Sequence, residues 1–414
     1  MNSFFDCIVV GGGPAGLIAA GQAGARGARV LLLEKNKELG KKIKITGHGR
    51  CNIVQAEFNL KTLVSSYGEN GKFLFSCFNN FGPKKIMEFF EDIGVALKTE
   101  ANGRVFPSSD NAEEVVTVLI KYLRQNKVEI KYGVEVKDIV KNKSKIVVTL
   151  NNGDEIETKN IIIATGGLSY PVTGSTGDGF VLAEKIGHPV TKTIPALVPL
   201  KTKESWVKKI QGLSLSDIKV TLYKGKKKIK EANGDILFTH FGITGPVILN
   251  ISKFVLNNLG GEEVFLKINF FPTLTQEQLE KKLIQDFHGF GKKLIKNVLG
   301  SIVQPKAVLL LLELAKINAD KPANSINKEE RKRLLEVLNS LKLTILGSLG
   351  YEIAMATSGG IDLKEIDPKT MQSKIHSGIY FAGEVLDIDG PTGGYNLTAA
   401  WSTGYSAGNN ITLG

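Results

Sequence analysis

The chain has 414 residues, a length that predicts two or three domains rather than a single core. Hydrophobic residues make up 42% and charged residues 23%, as in an ordinary globular protein, and no apolar run reaches the roughly 20 residues that a membrane helix needs. The three cysteines show no CxxC spacing, so we expect no structural disulfide, no metal site and a reducing, cytoplasmic location.

The net charge of +12 is concentrated in one internal segment. Residues 191–350 carry 26 Lys and Arg against 14 Asp and Glu, whereas the rest of the chain carries 27 of each kind. A concentrated positive field attracts polyanions, because each neutralised phosphate releases counterions. The alternative is a lysine-rich composition in which the lysines merely lie on solvated faces. This alternative explains the total charge, but it explains the concentration of that charge in one segment less well.

The first elements along the chain form a βαβ unit. Residues 5–10 predict a buried strand, 14–26 a helix of small residues, and 28–33 a second strand that ends at Glu34. Both strands are continuously apolar, as in a parallel sheet that is covered on both faces. Further helices are predicted at 83–94 and 111–125, and further strands near 128–140, 145–150, 155–158 and 161–164.

From about residue 191 the pattern changes to alternating strands and then to helices with basic polar faces. Strands are predicted at 195–201, 217–223, 227–232 and 262–270, and helices over most of 275–348. From about residue 351 the chain returns to glycine-rich loops, with a strand at 379–382 and a helix from about Leu397. We therefore predict an α/β protein whose nucleotide-binding domain, 1–190 plus 351–414, is interrupted by an insertion.

A glycine-rich turn, Gly11-x-Gly13-x-x-Gly16, joins the first strand to the first helix. Gly11 permits the tight turn, Gly13 lets the backbone approach a pyrophosphate, and Gly16 lets the helix pack closely on the strand. Glu34 follows 18 residues after Gly16, where it can accept both hydroxyls of an adenosine ribose. The turn therefore predicts a dinucleotide site.

A basic loop follows at 40–52. Its three lysines, Arg50 and several glycines suit a segment that runs along a diphosphate and towards a flavin, because charged donors bind phosphate strongly. Cys51, next to Arg50, is expected either to have a lowered pKa and act as a proton donor or thiolate, or to be a small buried residue beneath the flavin.

Two later segments complete the predicted site. Ala164-Thr165-Gly166-Gly167 closes an apolar strand, and the glycine- and hydroxyl-rich stretch 170–179 suggests close backbone approach to a ligand. Near the C-terminus a strand ends in Gly383-Glu384, whose carboxylate suits a ribitol hydroxyl. The loop 390–397 then opens a helix whose N-terminus would stabilise negative charge on a reduced isoalloxazine. An N-terminal fingerprint paired with this C-terminal element indicates FAD rather than NAD.

Together these stretches resemble the BaiN/RdsA family of bacterial flavoproteins, formerly YhiN. The matching stretches span nearly the full length: GGGPAG at 11–16, GKKIKITGHGRCN at 40–52, ATGGLSYPVTGSTGDG at 164–179, GDILFTHFGITGP at 234–246 and AGEVLDIDGPTGGYNLTAAW at 382–401. Thr46 stands where this family is expected to have serine, a departure that keeps the hydroxyl.

The resemblance implies a split Rossmann-like FAD-binding domain and an insertion with a β-barrel-like part at 191–274 and a helical part at 275–350. It implies FAD contacts within the matching motifs, at Ala15, Glu34, Arg50, Asn52, Thr165, Gly383, Glu384 and Asn396. The full set of residues expected to bind the cofactor is Gly11, Gly13, Pro14, Ala15, Gly16, Glu34, Lys35, Lys42, Gly49, Arg50, Cys51, Asn52, Val136, Ala164, Thr165, Gly166, Asp178, Gly383, Glu384, Gly394, Tyr395, Asn396 and Leu397.

Members of this family are linked to reduction of a steroid enone and to reduction of uridine to dihydrouridine in large-subunit ribosomal RNA. Both reactions deliver a hydride from flavin N5 to a C=C bond conjugated with a carbonyl, together with a proton. The leading hypothesis is the 23S ribosomal RNA substrate, because the basic insertion 191–350 supplies a footprint for phosphates that a small steroid does not need. Its lysines at 224–228 and 292–296, with the basic residues 331–333, would contact the phosphates.

Two alternatives remain. One is an NAD(P)H-dependent reductase of a small enone, such as a 3-oxo steroid or bile acid, with an apolar pocket lined by Phe238, Phe241, Tyr395 and Trp401. The other is a flavoprotein in which FAD is structural and which has no catalysis of its own. Loss of the RNA modification on gene deletion would favour the first hypothesis.

The expected proton donors are Cys51 and His240, with Tyr395 as a third candidate. Histidine can donate a proton near neutral pH, although His240 could equally be a structural residue of the barrel. NAD(P)H is the expected electron donor, and it would bind transiently because the sequence holds no second GxGxxG.

Overall fold

The computed structural model describes residues 4–142 and 145–413. The chain forms two compact units. The first, here called the split unit, comprises Met1–Pro195 and Ala354–Gly414, and the second, the inserted unit, comprises Ala196–Ile353.

Strands occur in both units. In chain order, within the described ranges, they are β1 (Phe4–Val10), β2 (Val30–Glu34), β3 (Val54–Gln55), β4 (Leu97–Thr99), β5 (Arg104–Pro107), β6 (Glu129–Tyr132), β7 (Val136–Lys141), β8 (Ile146–Leu150), β9 (Glu155–Ile163), β10 (Ile194–Ala196), β11 (Leu200–Thr202), β12 (Ser214–Lys224), β13 (Lys227–Phe238), β14 (Gly242–Thr244), β15 (Val264–Asn269), β16 (Leu341–Ser348), β17 (Ala356–Ser358) and β18 (Ile379–Phe381).

Helices likewise occur in both units. In the same part of the chain the α-helices are α1 (Pro14–Ala25), α2 (Lys41–Ile45), α3 (Leu60–Ser65), α4 (Phe75–Phe81), α5 (Pro83–Asp92), α6 (Ala112–Gln125), α7 (Asp178–Lys185), α8 (Pro246–Asn258), α9 (Gln276–Gly289), α10 (Ile295–Leu299), α11 (Pro305–Leu314), α12 (Lys328–Ser340) and α13 (Tyr395–Asn409). None of them combines the length and the apolar character needed to cross a bilayer.

The main sheet of the split unit has the strand order β6-β2-β1-β9-β8-β7, and β18 pairs with β9. β6, β2, β1, β9 and β18 are parallel to one another, while β8 and β7 extend the sheet in antiparallel fashion. The continuous apolar sequences of β1 and β2 are explained by this position, because most of their residues are buried. The α/β class and the Rossmann-like fold predicted from the sequence are confirmed.

Helices α1 and α13 pack against each other through small residues. A Cβ added to Gly404 would lie 2.3 Å from the carbonyl oxygen of Ala15, and one added to Gly408 would lie 2.3 Å from that of Ala19. Two glycines one turn apart therefore let the backbones of the two helices touch. This contact joins the N-terminal and C-terminal parts of the split unit.

The inserted unit contains a closed barrel with the strand order β11-β14-β13-β12-β15-β16. It closes because β16 pairs with both β15 and β11. The predicted helical part, 275–350, was therefore too long at its C-terminal end. The last helix of the inserted unit, α12, ends at Ser340, and strand β16 follows it. Leu341, Leu343 and Ile345 alternate along β16 with a period of two, so their buried side chains point into the barrel. The strand predicted at 195–201 is also two short strands, β10 and β11.

Candidate functional site

The parallel strands place four chain segments at one edge of the main sheet. Val10 of β1 is paired with Leu33 of β2 and with Ile163 of β9, and Ile163 is paired in turn with Phe381 of β18. Segments that follow the carboxyl ends of parallel strands meet at the same edge. The glycine turn after β1, the acidic residue that ends β2, and the turns after β9 and β18 are thus brought together.

The three glycines of the first turn are each required for a different reason. Gly11 has φ +100°, and a Cβ there would lie 2.6 Å from the Ala164 carbonyl oxygen. A Cβ on Gly16 would lie 1.8 Å from the Gly11 carbonyl oxygen, so only glycine lets α1 approach this closely. A Cβ on Gly13 would meet no protein atom within 4 Å, and Gly13 lines an open cleft. Backbone exposed to open space in this way is available to a ligand.

The N-terminus of α1 faces this turn with unsatisfied donors. Pro14 is the first helical residue, no side chain caps the helix, and its first turn holds no acidic residue. The N–H groups of Ala15 and Gly16 come too early to have partners within the helix. Together with the positive end of the helix dipole, they form a binding site for an anion such as a diphosphate.

Glu34 is buried and holds the turn in place. Its Oε2 accepts a hydrogen bond of 2.7 Å from the Gly12 N–H, and its Oε1 accepts two bonds from Asn36, at 2.8 Å from the backbone N–H and 2.7 Å from Nδ2. A carboxylate offers about four acceptor positions, so one remains on Oε2. Glu34 can therefore accept a ribose hydroxyl at Oε2 without breaking a bond seen here.

The turn and Glu34 open into a cleft with about 1340 Å³ of empty space, including the part open to solvent. The predicted cofactor residues that line it are Gly11, Gly13, Pro14, Ala15, Glu34, Lys35, Lys42, Val136, Ala164, Thr165, Gly166, Asp178, Gly383, Glu384, Asn396 and Leu397. N-terminal and C-terminal motifs thus share one cleft.

Glu384 and Lys42 form an ion pair at the edge of the cleft, with Lys42 Nζ 3.0 Å from Glu384 Oε2. Glu384 Oε1 accepts further bonds from Ser169 Oγ at 2.6 Å and from the Thr357 N–H at 2.8 Å. Burial opposes ionisation of this carboxyl, but the Lys42 charge and these hydrogen bonds outweigh it, so the pKa of Glu384 lies below its ordinary value. Glu384 is therefore ionised at neutral pH and holds Lys42 in a fixed position.

A second ion pair lies on the Glu34 side of the cleft. Lys35 donates hydrogen bonds to Asp178, the first residue of α7, and to Thr176. Val136, at the start of β7, also lines this side. The pair fixes α7 against the end of β2 and places both charged side chains along the cleft wall.

The turn after β9 contributes a polar atom with no protein partner. Thr165 lines the cleft, and its Oγ1 is buried and has no hydrogen-bond partner among the described residues. Gly166, next to it, has φ +77°, and a Cβ there would lie 2.7 Å from Ser175 Oγ. A buried hydroxyl beside a cleft is normally satisfied, so Thr165 is suited to bond a ligand there.

The C-terminal loop is held by Asn396. Its Oδ1 accepts from the Gly390 N–H at 2.9 Å and its Nδ2 donates to the Gly390 carbonyl at 3.0 Å. These bonds close the loop before α13, whose residues Asn396 and Leu397 line the cleft. The first turn of α13 has no acidic residue and no side-chain cap, so its N-terminus is electropositive.

Several predicted residues lie outside the lining of the cleft. Gly16 is buried beneath the turn, and the others are Gly49, Arg50, Cys51, Asn52, Gly394 and Tyr395. Gly394 caps α13 with φ +99°, and a Cβ there would lie 2.9 Å from Asn52 Oδ1. That Oδ1 is buried and has no hydrogen-bond partner in the described part of the chain. Asn52 and Gly394 are thus in close contact at the start of α13.

Arg50 contacts other protein groups. Its Nη1 lies 2.8 Å from Glu100 Oε1 and 3.5 Å from Asp110 Oδ1, and its guanidinium carbon lies 3.9 Å from the centre of the Phe106 ring. Because its charge is shared between two carboxylates, Arg50 stabilises the loop and the small sheet β3-β5-β4.

The predicted lowering of the Cys51 pKa is wrong. Cys51 is fully buried, and that burial raises the pKa of its thiol to about 12. Arg50 does not offset this effect, because its guanidinium is directed towards Glu100. The alternative expectation, a small buried residue, describes Cys51.

The other two candidate proton donors lie in different units. His240 is exposed in the loop between β13 and β14, with its ring 5.0 Å from that of Phe241. Tyr395 is the first residue of α13, and its carbonyl accepts a 2.7 Å hydrogen bond from the Tyr67 hydroxyl.

Two members of the predicted apolar pocket are core residues instead. Trp401 is fully buried and donates its Nε1–H to the Ile53 carbonyl at 2.9 Å. Phe238 is only 1% exposed, in the core of the inserted unit. Neither ring offers its surface to a substrate.

Sequence reasoning missed Ser169 and Thr357, which hold Glu384. Both are completely buried, and Thr357 Oγ1 also accepts from the Leu168 N–H at 2.8 Å. Ser169 lies two residues after the pair Gly166-Gly167, and Thr357 lies two residues before the pair Gly359-Gly360. A hydroxyl residue near a glycine pair was a usable signal, but its partner lies too far along the chain to be identified locally.

These features fit FAD. Glu34 suits a ribose at one end, and Glu384 with the N-terminus of α13 suits a ribitol and flavin at the other. Between them the α1 N-terminus and Lys42 offer positive charge for a diphosphate. The exposed backbone of Gly13 and the unsatisfied Thr165 hydroxyl are both explained by a ligand in the cleft.

Comparison with known proteins agrees with this geometry. A family model described as the HI0933-like protein Rossmann domain matches residues 5–410. The chain is 33% identical to the 3-dehydro-bile acid delta(4,6)-reductase of Clostridium scindens over 404 residues, 97% of each chain. It is 31% identical over 418 residues, the whole of both chains, to the ribosomal RNA dihydrouridine synthase of Haemophilus influenzae, and 30% identical over 408 residues, 98% of both, to that of Escherichia coli.

Solved structures show the same fold at much lower identity. The 3-ketosteroid delta1-dehydrogenase of Sterolibacterium denitrificans is 14% identical, with a TM-score of 0.54 over 99% of both chains. The 3-ketosteroid-delta4-(5alpha)-dehydrogenase of Rhodococcus jostii is 13% identical, with a TM-score of 0.51 over 98% of this chain and 97% of the other.

Proposed function

The chain belongs to the HI0933-like family and is an FAD-dependent oxidoreductase, and we propose that its substrate is a uridine of large-subunit ribosomal RNA, which it reduces to dihydrouridine. The observation that carries the choice of substrate is the charge of the inserted unit. This unit holds 25 Lys and Arg against 15 Asp and Glu, whereas the split unit that contains the cleft holds 28 against 26. A polyanionic substrate explains this segregation.

The chain's own residues bind and orient the cofactor. The N–H groups at the start of α1 and the Lys42 ammonium would hold the diphosphate, and Glu34 would accept the ribose hydroxyl at Oε2. Glu384 keeps Lys42 in place and retains one acceptor position on Oε2. When bound, reduced FAD supplies a hydride to the carbon of the C=C bond remote from the conjugated carbonyl.

The neighbouring carbon requires a proton from an acid. Cys51 is an unsuitable donor because it is fully buried and outside the cleft lining. His240 and Tyr395 retain exposed surface and remain the candidates. We propose NAD(P)H as the electron donor, and it would bind transiently because the sequence contains one dinucleotide fingerprint, which FAD would occupy. Action on ribosomal RNA would place the protein in the cytoplasm.

A second candidate is the reduction of a small carbonyl-conjugated C=C bond, as in a steroid. It is favoured by the 33% identity to the bile acid reductase, which slightly exceeds that to either dihydrouridine synthase. The chemistry at the flavin is common to both candidates. They differ in whether the inserted unit must bind a polyanion.

Mass spectrometry of nucleosides from ribosomal RNA separates the two. We expect dihydrouridine in large-subunit RNA to disappear when the gene is deleted and to return on complementation with the wild-type gene. Complementation with a Gly13→Ala variant, whose affinity for FAD should be lower, is expected to restore less dihydrouridine than the wild-type gene. Unchanged dihydrouridine in the deletion strain would reject the RNA substrate, and turnover of a 3-oxo steroid by the holoenzyme would then support the second candidate.

A further inference from the structure

Four neighbouring barrel strands, β13, β12, β15 and β16, present an outer surface of aromatic and basic residues. Val220, Leu222 and Leu266 alternate along β12 and β15 and are buried inside the barrel. The residues between them face outwards. We call the outward-facing group Tyr223, Phe265, Lys267 and Lys342 the aromatic-lysine face.

Two aromatic rings lie at its centre. Tyr223 and Phe265 are directly opposite each other in the register of β12 and β15. Their rings are almost parallel, with an interplanar angle of 7° and centroids 5.3 Å apart. Both side chains are half-buried, so each keeps part of its surface open to solvent.

Lysines surround these rings. Lys267 Nζ lies 5.3 Å from the centre of the Tyr223 ring, and Lys342 Nζ lies 4.4 Å from that of Phe265. Lys228 is opposite Tyr223 on β13, at the end of a hairpin that adds further lysines at 224, 226 and 227.

Carboxylates neutralise only part of this charge. Glu263 pairs with Lys342, Glu231 pairs with Lys219 at 3.1 Å and also with Lys228, and Glu262 is the third acidic residue near the hairpin. The residues named here are seven lysines, at 219, 224, 226, 227, 228, 267 and 342, and three glutamates, and a fourth glutamate, Glu204, accepts from the Thr344 N–H opposite Phe265. The excess positive charge complements a phosphate backbone.

A cross-strand aromatic pair can stabilise a sheet by itself. That role does not require lysines over both rings or a lysine-rich hairpin beside them. Proteins that bind single-stranded nucleic acid combine both features, since bases stack on aromatic rings while basic side chains contact phosphates.

We propose that the aromatic-lysine face is the docking surface for a single-stranded segment of RNA. Lys267 and Lys342, which lie over the Tyr223 and Phe265 rings here, would turn to the adjoining phosphates, and bases would stack against the ring surfaces that they leave. The identification of that RNA as ribosomal rests on the proposed function, whereas the docking surface itself does not.

The test measures binding of the FAD-loaded protein to a fluorescent, uridine-rich single-stranded RNA by anisotropy at several salt concentrations. Tyr223→Leu and Phe265→Leu keep apolar bulk in the strand but remove the ring, and each should weaken binding about 5- to 150-fold. Tyr223→Phe keeps the ring and should bind like the wild type. A Lys267→Ala, Lys342→Ala double variant should lower the dependence of log affinity on log salt by about 0.7 for each lost phosphate contact.

Matched controls come from the split unit. Phe58 is 63% exposed and Lys121 is exposed on α6, so Phe58→Leu and Lys121→Ala remove similar groups elsewhere. Urea unfolding and flavin content verify that every variant is folded. The proposal is overturned if the wild type shows no salt-dependent RNA binding, if the ring variants bind like the wild type, or if the controls weaken binding equally.

Failure of this proposal is distinguishable from failure of the proposed function. If dihydrouridine requires the gene while Phe265→Leu binds RNA and restores the modification fully, the docking surface is wrong and the function stands. If the face binds RNA as described but ribosomal dihydrouridine does not depend on the gene, the docking surface stands and the proposed function falls.

Discussion

The substitution Gly13→Ala should separate cofactor binding from folding. Gly13 has φ −82° and ψ −173°, values that alanine adopts without strain, and a Cβ there would meet no protein atom within 4 Å. An alanine at a compatible position stabilises a protein by about 0.4–1 kcal/mol, because it restricts the unfolded chain. We therefore expect the apoprotein of this variant to be as stable as the wild type or slightly more stable.

The same methyl group should impair FAD binding. If the diphosphate lies against the Gly13 backbone, the methyl group overpacks that contact, which costs about 1–3 kcal/mol. This cost corresponds to an affinity lowered about 5- to 150-fold. Apoprotein can be titrated with FAD by flavin fluorescence, and its free energy of unfolding measured in urea without FAD.

The control is Gly404→Ala, whose Cβ would lie 2.3 Å from a backbone oxygen of α1. That variant should lose stability even without FAD. Wild-type FAD affinity in Gly13→Ala, or a clear loss of apoprotein stability, would refute the assignment of Gly13 to close contact with the cofactor.

Four further outcomes are expected. Gly404→Ala should lower the free energy of unfolding by about 1–3 kcal/mol, measured in urea, because helix backbone cannot move aside cheaply. Glu384→Gln should lower the free energy of unfolding at pH 7. Since the pKa of Glu384 is lowered in the folded protein, its contribution to stability is present above the ordinary pKa of about 4.3 and disappears as the pH falls through the lower folded value. The stabilities of the wild type and of Glu384→Gln should therefore converge in acid. Burial, with His376 nearby, lowers the pKa of His188 to about 4, so stability should fall as the pH drops from about 6.5 towards 4, and His188→Gln should lack this part of the slope in urea titrations. Cys51 should resist iodoacetamide at pH 8 until urea is added, because burial raises its thiol pKa to about 12; rapid labelling of Cys51 in the native protein, detected by peptide mass spectrometry, would contradict this placement.

The parts of the site that could be predicted depend on local sequence. The turn at Gly11, Gly13 and Gly16 and the acid at Glu34 lie within one βαβ unit, where spacing determines geometry. The C-terminal Gly383-Glu384 turn was recognisable because it follows an apolar strand. These elements required no knowledge of distant contacts.

The parts that could not be predicted depend on contacts between distant residues. Arg50 follows a cofactor loop in sequence, but its charge is taken up by Glu100 and Asp110. Lys42 and Glu384 are 342 residues apart, and only the parallel pairing of β1, β9 and β18 brings them together. In the inserted unit, β16 follows the four α-helices α9 to α12, and its role is clear only from the strand pairing that closes the barrel.

The most direct test of the account is reconstitution of the reaction on RNA. Ribosomal RNA from the deletion strain would be incubated with the FAD-loaded protein and NAD(P)H, and dihydrouridine measured by nucleoside mass spectrometry. We predict that dihydrouridine appears in the large-subunit RNA, and that Gly13→Ala protein forms less of it at an FAD concentration that loads the wild type but only partly loads this variant. Absence of dihydrouridine with wild-type protein whose flavin is demonstrably reduced would contradict uridine as the substrate.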